Sequence, residues 1–359
     1  MDRSPFSKLY DLIRNLGIIR HKKRQEFLCE LLAGLIKSRS VHFSEIADKM
    51  DKPILISSIE RRIQDFFLRV GFDYCQLMLF FLSFVHHDRL RLSIDRTEWD
   101  FGKTQINILC VVVSIGKMAV PLYFEMLDNN SGNSNYGDRI GVLQEILQRV
   151  GPGRIEVLIM DREFIGHKWL RWLKKQGIPF CVRVPKHHKI TLADGSRHTA
   201  EELLENRKSR YLQDVVVDLV VVNLSVEYDK QGELLYLIGT LPARQLPALY
   251  RKRWTIEVFF QALKGRGFNL ESSRLRCLQK YKKLFAVVAM AYTLCWAIGI
   301  EDARTKPVKP KKHGYPQYSV FRRGLNILRQ FFKRKYCPQF LQTIASATDR
   351  AGPWFKTVG

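Results

Sequence analysis

The chain has 359 residues, 46% of them hydrophobic, and a formal net charge of +24. The length suits two or three domains with a substantial core, and the charge favours a polyanionic partner, nucleic acid before membrane. Residues 1–23 are mixed and charged, so no secretory leader is expected. The seven scattered cysteines form no CxxC pair and read as free thiols of a reducing compartment. His86-His87 and His187-His188 are adjacent pairs, a poor spacing for a structural zinc site.

Residues 1–88 read as all helix. Leu9, Leu12, Ile13 and Leu16 make one apolar stripe, and Phe27, Leu28, Leu31, Leu32 and Leu35 make another. Between Asp11 and Glu26 lie Arg14, Arg20, Lys22, Lys23 and Arg24 with no acid among them. A short helix at 44–50 and a break at Lys52-Pro53 precede a helix opening at Ser57, where Ser57 and Glu60 fit a capping box. That helix would bury Ile59, Ile63, Phe66 and Phe67 and turn Arg61, Arg62 and Gln64 outward. Helix, turn and basic second helix fit a DNA-reading module, and equally an ordinary bundle with a solvated face. A strongly apolar helix runs from about Asp73 to His87.

The texture changes at Arg89. Residues 90–94 form a short strand ending on Asp95, 105–114 a nearly all-apolar strand, and 118–126 a third, an antiparallel meander with a buried middle. A polar loop at 128–137 leads to an amphipathic helix at 139–150. Residues 155–160 form a buried strand ending on Asp161. A helix at 162–176 and a strand at 179–184 follow. The order predicts a mixed sheet with helices against it. Residues 185–240 read as an inserted β element.

The stretch from Leu249 to Lys264 reads as one helix. At about 100° per residue, Tyr250, Arg253, Glu257 and Lys264 share one arc, beside a core-facing stripe of Leu249, Ile256, Phe259, Phe260 and Leu263. An edge that holds out a carboxylate, two cations and a phenol fits a salt-bridged surface helix, and it also fits a phosphate-handling site in which the carboxylate binds a metal. Residues 284–300 form the longest apolar run, read as a buried core helix rather than a membrane span. From Ala303 to Thr348 there are many Lys and Arg and no acid. Within that region 306–316 reads as a Pro/Lys-rich loop and 320–335 as a basic amphipathic helix, for which DNA phosphate is the more economical partner.

Asp95 and Asp161 each end an apolar strand. If those strands are neighbours, both carboxylates meet at one sheet edge, where they and Glu257 would supply three acidic ligands for a pair of divalent ions. Glu98, Asp100 and Glu163 are nearby competitors for that role. Magnesium suits such an all-oxygen site.

These residues carry a resemblance. Asp95-Arg96-Thr97-Glu98-Trp99, Asp161-Arg162-Glu163-Phe164 and the Tyr-x-x-Arg-x-x-x-Glu-x-x-x-x-x-x-Lys pattern met by Tyr250, Arg253, Glu257 and Lys264 resemble the DDE transposases of bacterial insertion sequences, of the insertion-sequence-4 type. The resemblance covers residues 89–300. It implies an α/β (α+β) ribonuclease-H-like fold, a mixed sheet with helices on both faces and a β-rich insertion at about 185–240 before the Glu-bearing helix. That catalytic domain would span 89–302, between an all-α N-terminal DNA-binding domain at 1–88 and a basic helical region at 303–359.

The function implied is cut-and-paste transposition. Asp95, Asp161 and Glu257 would be catalytic and hold two Mg2+ ions, with Mn2+ a substitute. Tyr250, Arg253 and Lys264 would contact DNA phosphates, and Arg61, Arg62 and Gln64 are candidates for reading bases. The implied partners are double-stranded DNA, as terminal inverted repeats and as target, and a second copy in a synaptic homodimer. No membrane is implied, and the expected location is the bacterial cytoplasm, at the nucleoid. Some relatives pass through a hairpin in which a Trp of the β insertion stacks on a flipped base. Residues 185–245 hold no Trp, leaving Tyr211, Tyr228 or Tyr236 for that task. The competing readings are a catalytically silent DNA-binding regulator on the same fold and a stand-alone nuclease. A tyrosine recombinase using Tyr250 would have no use for the carboxylates.

Overall fold

The computed structural model describes residues 5–102, 104–127, 132–205, 207–229, 231–307, 311–312, 316–334 and 338–355. The expected loops at 128–137 and 306–316 fall partly outside these residues. The chain forms two compact units: Met1–His86 with Trp99–Ile106 and Phe260–Gly359, and His87–Glu98 with Asn107–Phe259.

The first unit opens with five helices: α1 (Pro5–Leu16), α2 (Lys22–Ser38), α3 (Phe43–Asp48), α4 (Ile56–Arg69) and α5 (Tyr74–Leu82). The two expected stripes lie in the core, with Leu9, Leu12, Leu28, Leu31, Leu32 and Leu35 all fully buried. α2 stops where Arg39 turns left-handed and its N–H bonds the Leu35 carbonyl. α5 is capped by Asp73, whose carboxylate accepts from Gln76 N. The capping box expected at Ser57 does not form. α4 starts a residue earlier, at Ile56, behind an uncapped Leu55, and leaves Ile54, Leu55 and Ile56 exposed.

The second unit is built on one ten-stranded sheet. In chain order the elements that lie wholly or mostly in it are β1 (Leu90–Phe101), β2 (Thr104–Ile115), β3 (Met118–Met126), α6 (Tyr136–Val150), β4 (Ile155–Met160), α7 (His167–Lys175), β5 (Phe180–Arg183), β6 (Ile190–Thr191), β7 (Arg197–His198), α8 (Ala200–Leu204), β8 (Ser209–Val217), β9 (Val220–Tyr228), β10 (Leu234–Gly239), α9 (Leu246–Tyr250) and α10 (Trp254–Leu263), with Trp99–Ile106 and the end of α10 from Phe260 belonging to the first unit. The sheet order is β3-β2-β1-β4-β5-β10-β9-β8-β6-β7. β1, β4 and β5 are parallel neighbours, and their central residues, such as Leu92, Leu158 and Val182, are fully buried, as a covered parallel sheet requires. The result is a mixed parallel and antiparallel sheet flanked by helices, a ribonuclease-H-like core with helices ahead of it.

Two expectations need correction here, and a third is extended. Asp95 does not end its strand, because β1 continues to Phe101 and hairpins with β2 through Gly102 at φ 60°. The helix expected at 162–176 is a single 3-10 turn, Arg162–Phe164, followed by α7 after Gly166 at φ 138°. The β-rich block is continuous with the main sheet: β10 pairs antiparallel with β5 and carries β9, β8, β6 and β7 outward.

The remaining elements belong to the first unit: α11 (Leu278–Thr305), α12 (Val320–Arg334) and α13 (Pro338–Phe355). By length and composition α11 is apolar enough to cross a membrane, yet 89% of its apolar window is buried inside the protein, which makes it a core helix. α12 buries Phe321, Leu325, Leu328, Phe331 and Phe332. α11 and α12 cross closely enough that only glycine fits. An added methyl at Gly324 would strike the Cys295 carbonyl oxygen, and one at Gly299 the Val320 carbonyl oxygen. Backbone cannot yield as a side-chain tip can, so Gly324→Ala is expected to cost about 2 kcal/mol or more. A thermal unfolding midpoint equal to wild type would contradict that packing.

Candidate active site

β1 and β4 bring the two aspartates together through their register. Ile94 pairs with Met160 at the last position of the parallel ladder. Asp95 and Asp161 are the next residue on each strand, so they emerge side by side. Each carboxylate accepts the following backbone N–H, from Arg96 N at 2.9 Å and from Arg162 N at 2.8 Å.

The third carboxylate arrives on a segment the sequence describes only in part. The expected continuous helix is α9, a 3-10 turn at Arg251–Arg253, and then α10. The tighter turn alters the phase between Tyr250 and Glu257, but both still face the aspartates. A chain of buried hydroxyls ties the start of α10 to the sheet. Ser93 on β1 lies 3.2 Å from Ser114 on β2, and Ser114 lies 2.8 Å from Thr255 on α10. Thr255 donates its only hydroxyl proton to the Lys252 carbonyl at 2.9 Å, so Ser114 must donate to Thr255. Ser93 stands two residues before Asp95, and Thr255 two before Glu257.

Arg253 sits among the three carboxylates. Its Nη1 donates to Asp95 Oδ2 at 2.8 Å, and its Nη2 donates to Glu257 Oε1 and lies 3.8 Å from Asp161 Oδ2. Its side chain is 14% exposed, against 17%, 25% and 27% for Asp95, Asp161 and Glu257. Tyr250 donates its hydroxyl to Asp161 Oδ1 at 3.0 Å. Burial pushes the Asp95 carboxyl up to about 7, against the pull of Arg253 and the Arg96 N–H. Burial also pushes the Tyr250 phenol up to about 12, with Arg253 opposing and Asp161 reinforcing, so it remains a proton donor at neutral pH. For Arg253, burial disfavours the charge, but Tyr250, Asp161, Asp95 and Glu257 outweigh it and raise the guanidinium pKa above its ordinary value.

Sequence reasoning missed the clamp behind the aspartates. Arg96, next to Asp95, is 9% exposed in its side chain, and its Nε donates to both oxygens of Glu163 at 3.0 and 3.1 Å. Its Nη1 bonds Glu98 at 2.9 Å and the buried Asn107 at 3.0 Å. Arg139 of α6 reaches the Glu163 carbonyl at 2.9 Å and covers the Phe164 ring. Glu98 and Glu163, considered above as competing metal ligands, both pair with Arg96 rather than with Arg253. The signal was present in the two motifs, as a cation after one Asp and an acid two residues after the other.

Other expected site residues are placed as follows. Lys264, just past α10, pairs with Glu271 at 2.7 Å and lies over the Trp99 ring. Arg61, Arg62 and Gln64 are all exposed on α4. Gln64 lines a cleft of about 540 Å³ whose charged lining holds Glu45 and Glu60 together with Arg274 and Lys280. Of the insertion tyrosines, Tyr236 is 1% exposed and has no face to offer, whereas Tyr228 is half exposed. Trp254, at the start of α10, is 59% exposed, an aromatic face that a search confined to the insertion overlooks.

The donor set suits a hard cation in chemistry, since three carboxylates converge on one positive group. It does not yet suit one in spacing: among the described residues, no group of three or more His, Cys, Asp or Glu is placed to hold a metal ion. A guanidinium stands between the ligands.

With two aspartates in register and a glutamate on a later helix converging on one arginine, the chain matches, over residues 86–294, the family sequence profile described as transposase DDE domain. The chain belongs to the transposase DDE domain family. All three carboxylates lie inside the matched segment. Among solved structures, it is similar to the cryo-EM structure of the piggyBac transposase synaptic complex with hairpin DNA, at 12% identity and a TM-score of 0.47, over 90% of this chain and 75% of that one. No curated protein matches.

Proposed function

We propose that the protein is a transposase of the insertion-sequence-4 type that excises and reinserts its element through phosphodiester chemistry at Asp95, Asp161 and Glu257. The observation that carries this is the convergence of three carboxylates from two strands and one helix on a single cation. Asp95, Asp161 and Glu257 would hold Mg2+, as two ions, with Mn2+ able to replace it. When bound, the metal supplies Lewis-acid activation of an attacking oxygen and charge stabilisation of a leaving one.

The protein's own residues do the rest. Water attacks the phosphodiester at the element end, leaving a 3′-hydroxyl on the element. That hydroxyl then attacks a phosphodiester of the target, forming one bond and breaking one, so no external energy source is needed. Tyr250, protonated at working pH, donates a hydrogen bond to Asp161 and fixes its orientation. Arg253 and Lys264 bind the phosphates flanking the scissile bond. The buried hydroxyl chain Ser93–Ser114–Thr255 holds Glu257 in register with Asp95.

Residues 1–88 bind the terminal repeats, with Arg61, Arg62 and Gln64 as the candidate contacts, and the basic 303–359 region adds DNA or dimer contacts. Two copies bridge the two element ends, in the bacterial cytoplasm. With a net charge of +24, affinity for random duplex is expected to fall roughly a hundredfold or more between 50 and 200 mM salt. A flat salt profile in a fluorescence-anisotropy titration would contradict the phosphate-contact reading. If excision passes through a hairpin, Trp254→Ala or Tyr228→Ala is expected to lower hairpin yield, since a base–aromatic stack contributes about 1–3 kcal/mol. Unchanged yield in both variants rules out stacking on either ring.

One observation favours the silent DNA-binding regulator instead: a guanidinium already neutralises part of the carboxylate centre. The test is end cleavage. Wild-type protein incubated with linear DNA bearing the element's own ends in Mg2+ is expected to nick at the junction with flanking DNA. Binding without cutting, in Mg2+ and in Mn2+, would assign the protein to regulation.

A further inference from the structure

Arg253 stands where a cation belongs. Its two terminal nitrogens reach all three carboxylates, and its hydrogen bonds run to Asp95 and Glu257. A magnesium ion needs its oxygens at about 2.0–2.1 Å from one centre. A guanidinium instead holds them at hydrogen-bond distance from nitrogens spread around a central carbon.

Resting on the metal-dependent reading above, we propose that Arg253 is an internal counter-ion that competes with the divalent metal for Asp95, Asp161 and Glu257, and leaves them when the metal binds. Coexistence is disfavoured because a guanidinium held against the same oxygens would lie within a few ångströms of a doubly charged ion, at partly buried side chains where screening is weak. Departure is feasible. Arg253 ends the 3-10 turn between α9 and α10, and its side chain is not sealed from solvent. A released guanidinium needs a new anion, and a DNA phosphate provides one with bidentate geometry. Metal binding and phosphate binding are then coupled, and by linkage each strengthens the other. Without DNA, Arg253 keeps the acidic centre neutralised and weakly receptive to metal, which restrains cleavage until an end is in place.

The test measures Mn2+ binding to the full-length protein without DNA, by calorimetry and by Mn2+ EPR, for wild type, Arg253→Gln and Glu257→Gln. Removing the competitor is expected to tighten Mn2+ binding about tenfold or more, and Glu257→Gln to weaken it. If wild-type binding depends on Glu257 but Arg253→Gln binds no tighter, competition is refuted while the metal site stands. If Glu257→Gln binds as wild type does, the metal reading itself fails and the inference falls with it. A second measurement needs no variant. Arginine-selective dicarbonyl labelling of wild type, read at Arg253 by mass spectrometry, is expected to rise several-fold when Mg2+ is added. Unchanged labelling overturns the proposal even if Arg253→Gln does not fold.

Discussion

Arg96→Met is expected to lower stability by about 3–5 kcal/mol, the usual cost of breaking a buried ion pair from one side. Glu163 would keep its charge in a partly buried position after losing a guanidinium that now bonds both of its oxygens. Glu98 would lose its partner too, but it is half exposed and contributes little. The double variant Arg96→Met/Glu163→Met should recover much of the loss, because an apolar pair of similar volume leaves no stranded charge. Denaturant midpoints for the two single variants and the double variant check this. A loss under about 1 kcal/mol for Arg96→Met would mean that the pair behaves as a solvent-screened one. The consequence for function is positional. Arg96 and Glu163 lock the chain just after Asp95 to the chain just after Asp161, so a looser clamp lets the two carboxylates drift apart.

What the sequence made legible was the chemistry at the sheet edge. Two apolar strands each reach an Asp, and strands that are near-continuous apolar runs belong to a covered sheet. Neighbouring parallel placement then puts Asp95 beside Asp161, as the Ile94–Met160 register shows. The tyrosine, arginine and glutamate spacing was also readable, although the helix wheel used for it assumed an unbroken α-helix, and the chain tightens into a 3-10 turn at Arg251–Arg253. Periodicity cannot report such a turn, because three residues are too few to shift an apolar stripe.

Partnership was the part that stayed hidden. Glu98 and Glu163 looked like further metal ligands because their chemistry is right. Only the three-dimensional placement shows that both pair with Arg96, apart from the three carboxylates gathered around Arg253. The hydroxyl chain through Ser93, Ser114 and Thr255 was invisible for a similar reason: its members are distant in sequence and each is unremarkable alone. The β-rich block was recognised as an insertion, yet its continuity with the main sheet through β10 depends on pairing with β5, which alternation within a strand does not encode.

Glu257→Gln is expected to abolish end cleavage, by on the order of a thousandfold or more, equivalent to about 4 kcal/mol in the barrier. The amide is nearly isosteric and still accepts a hydrogen bond from Arg253, so the turn before α10 and the hydroxyl chain at Thr255 should stay in place. What disappears is one of the three carboxylates at the centre and, on the metal-dependent reading proposed above, one hard oxygen ligand. Binding to the element ends should survive, since it depends on phosphate contacts spread over a strongly basic chain. Gel-shift and cleavage assays on the same preparation separate the two effects. Loss of end binding in parallel with cleavage would mean that Glu257 maintains structure rather than chemistry, and cleavage within tenfold of wild type would remove it from the reaction altogether.

The most direct measurement of the central claim is strand joining. Wild-type protein, linear DNA carrying both ends of its own element, and a target plasmid are incubated in Mg2+, and the products are sequenced across their junctions. The account predicts a released element whose 3′ ends are joined to target phosphates. Ends that are cut but never joined would make the protein a nuclease. Ends that are bound and left intact would make it a DNA-binding regulator that has kept the carboxylates without using them.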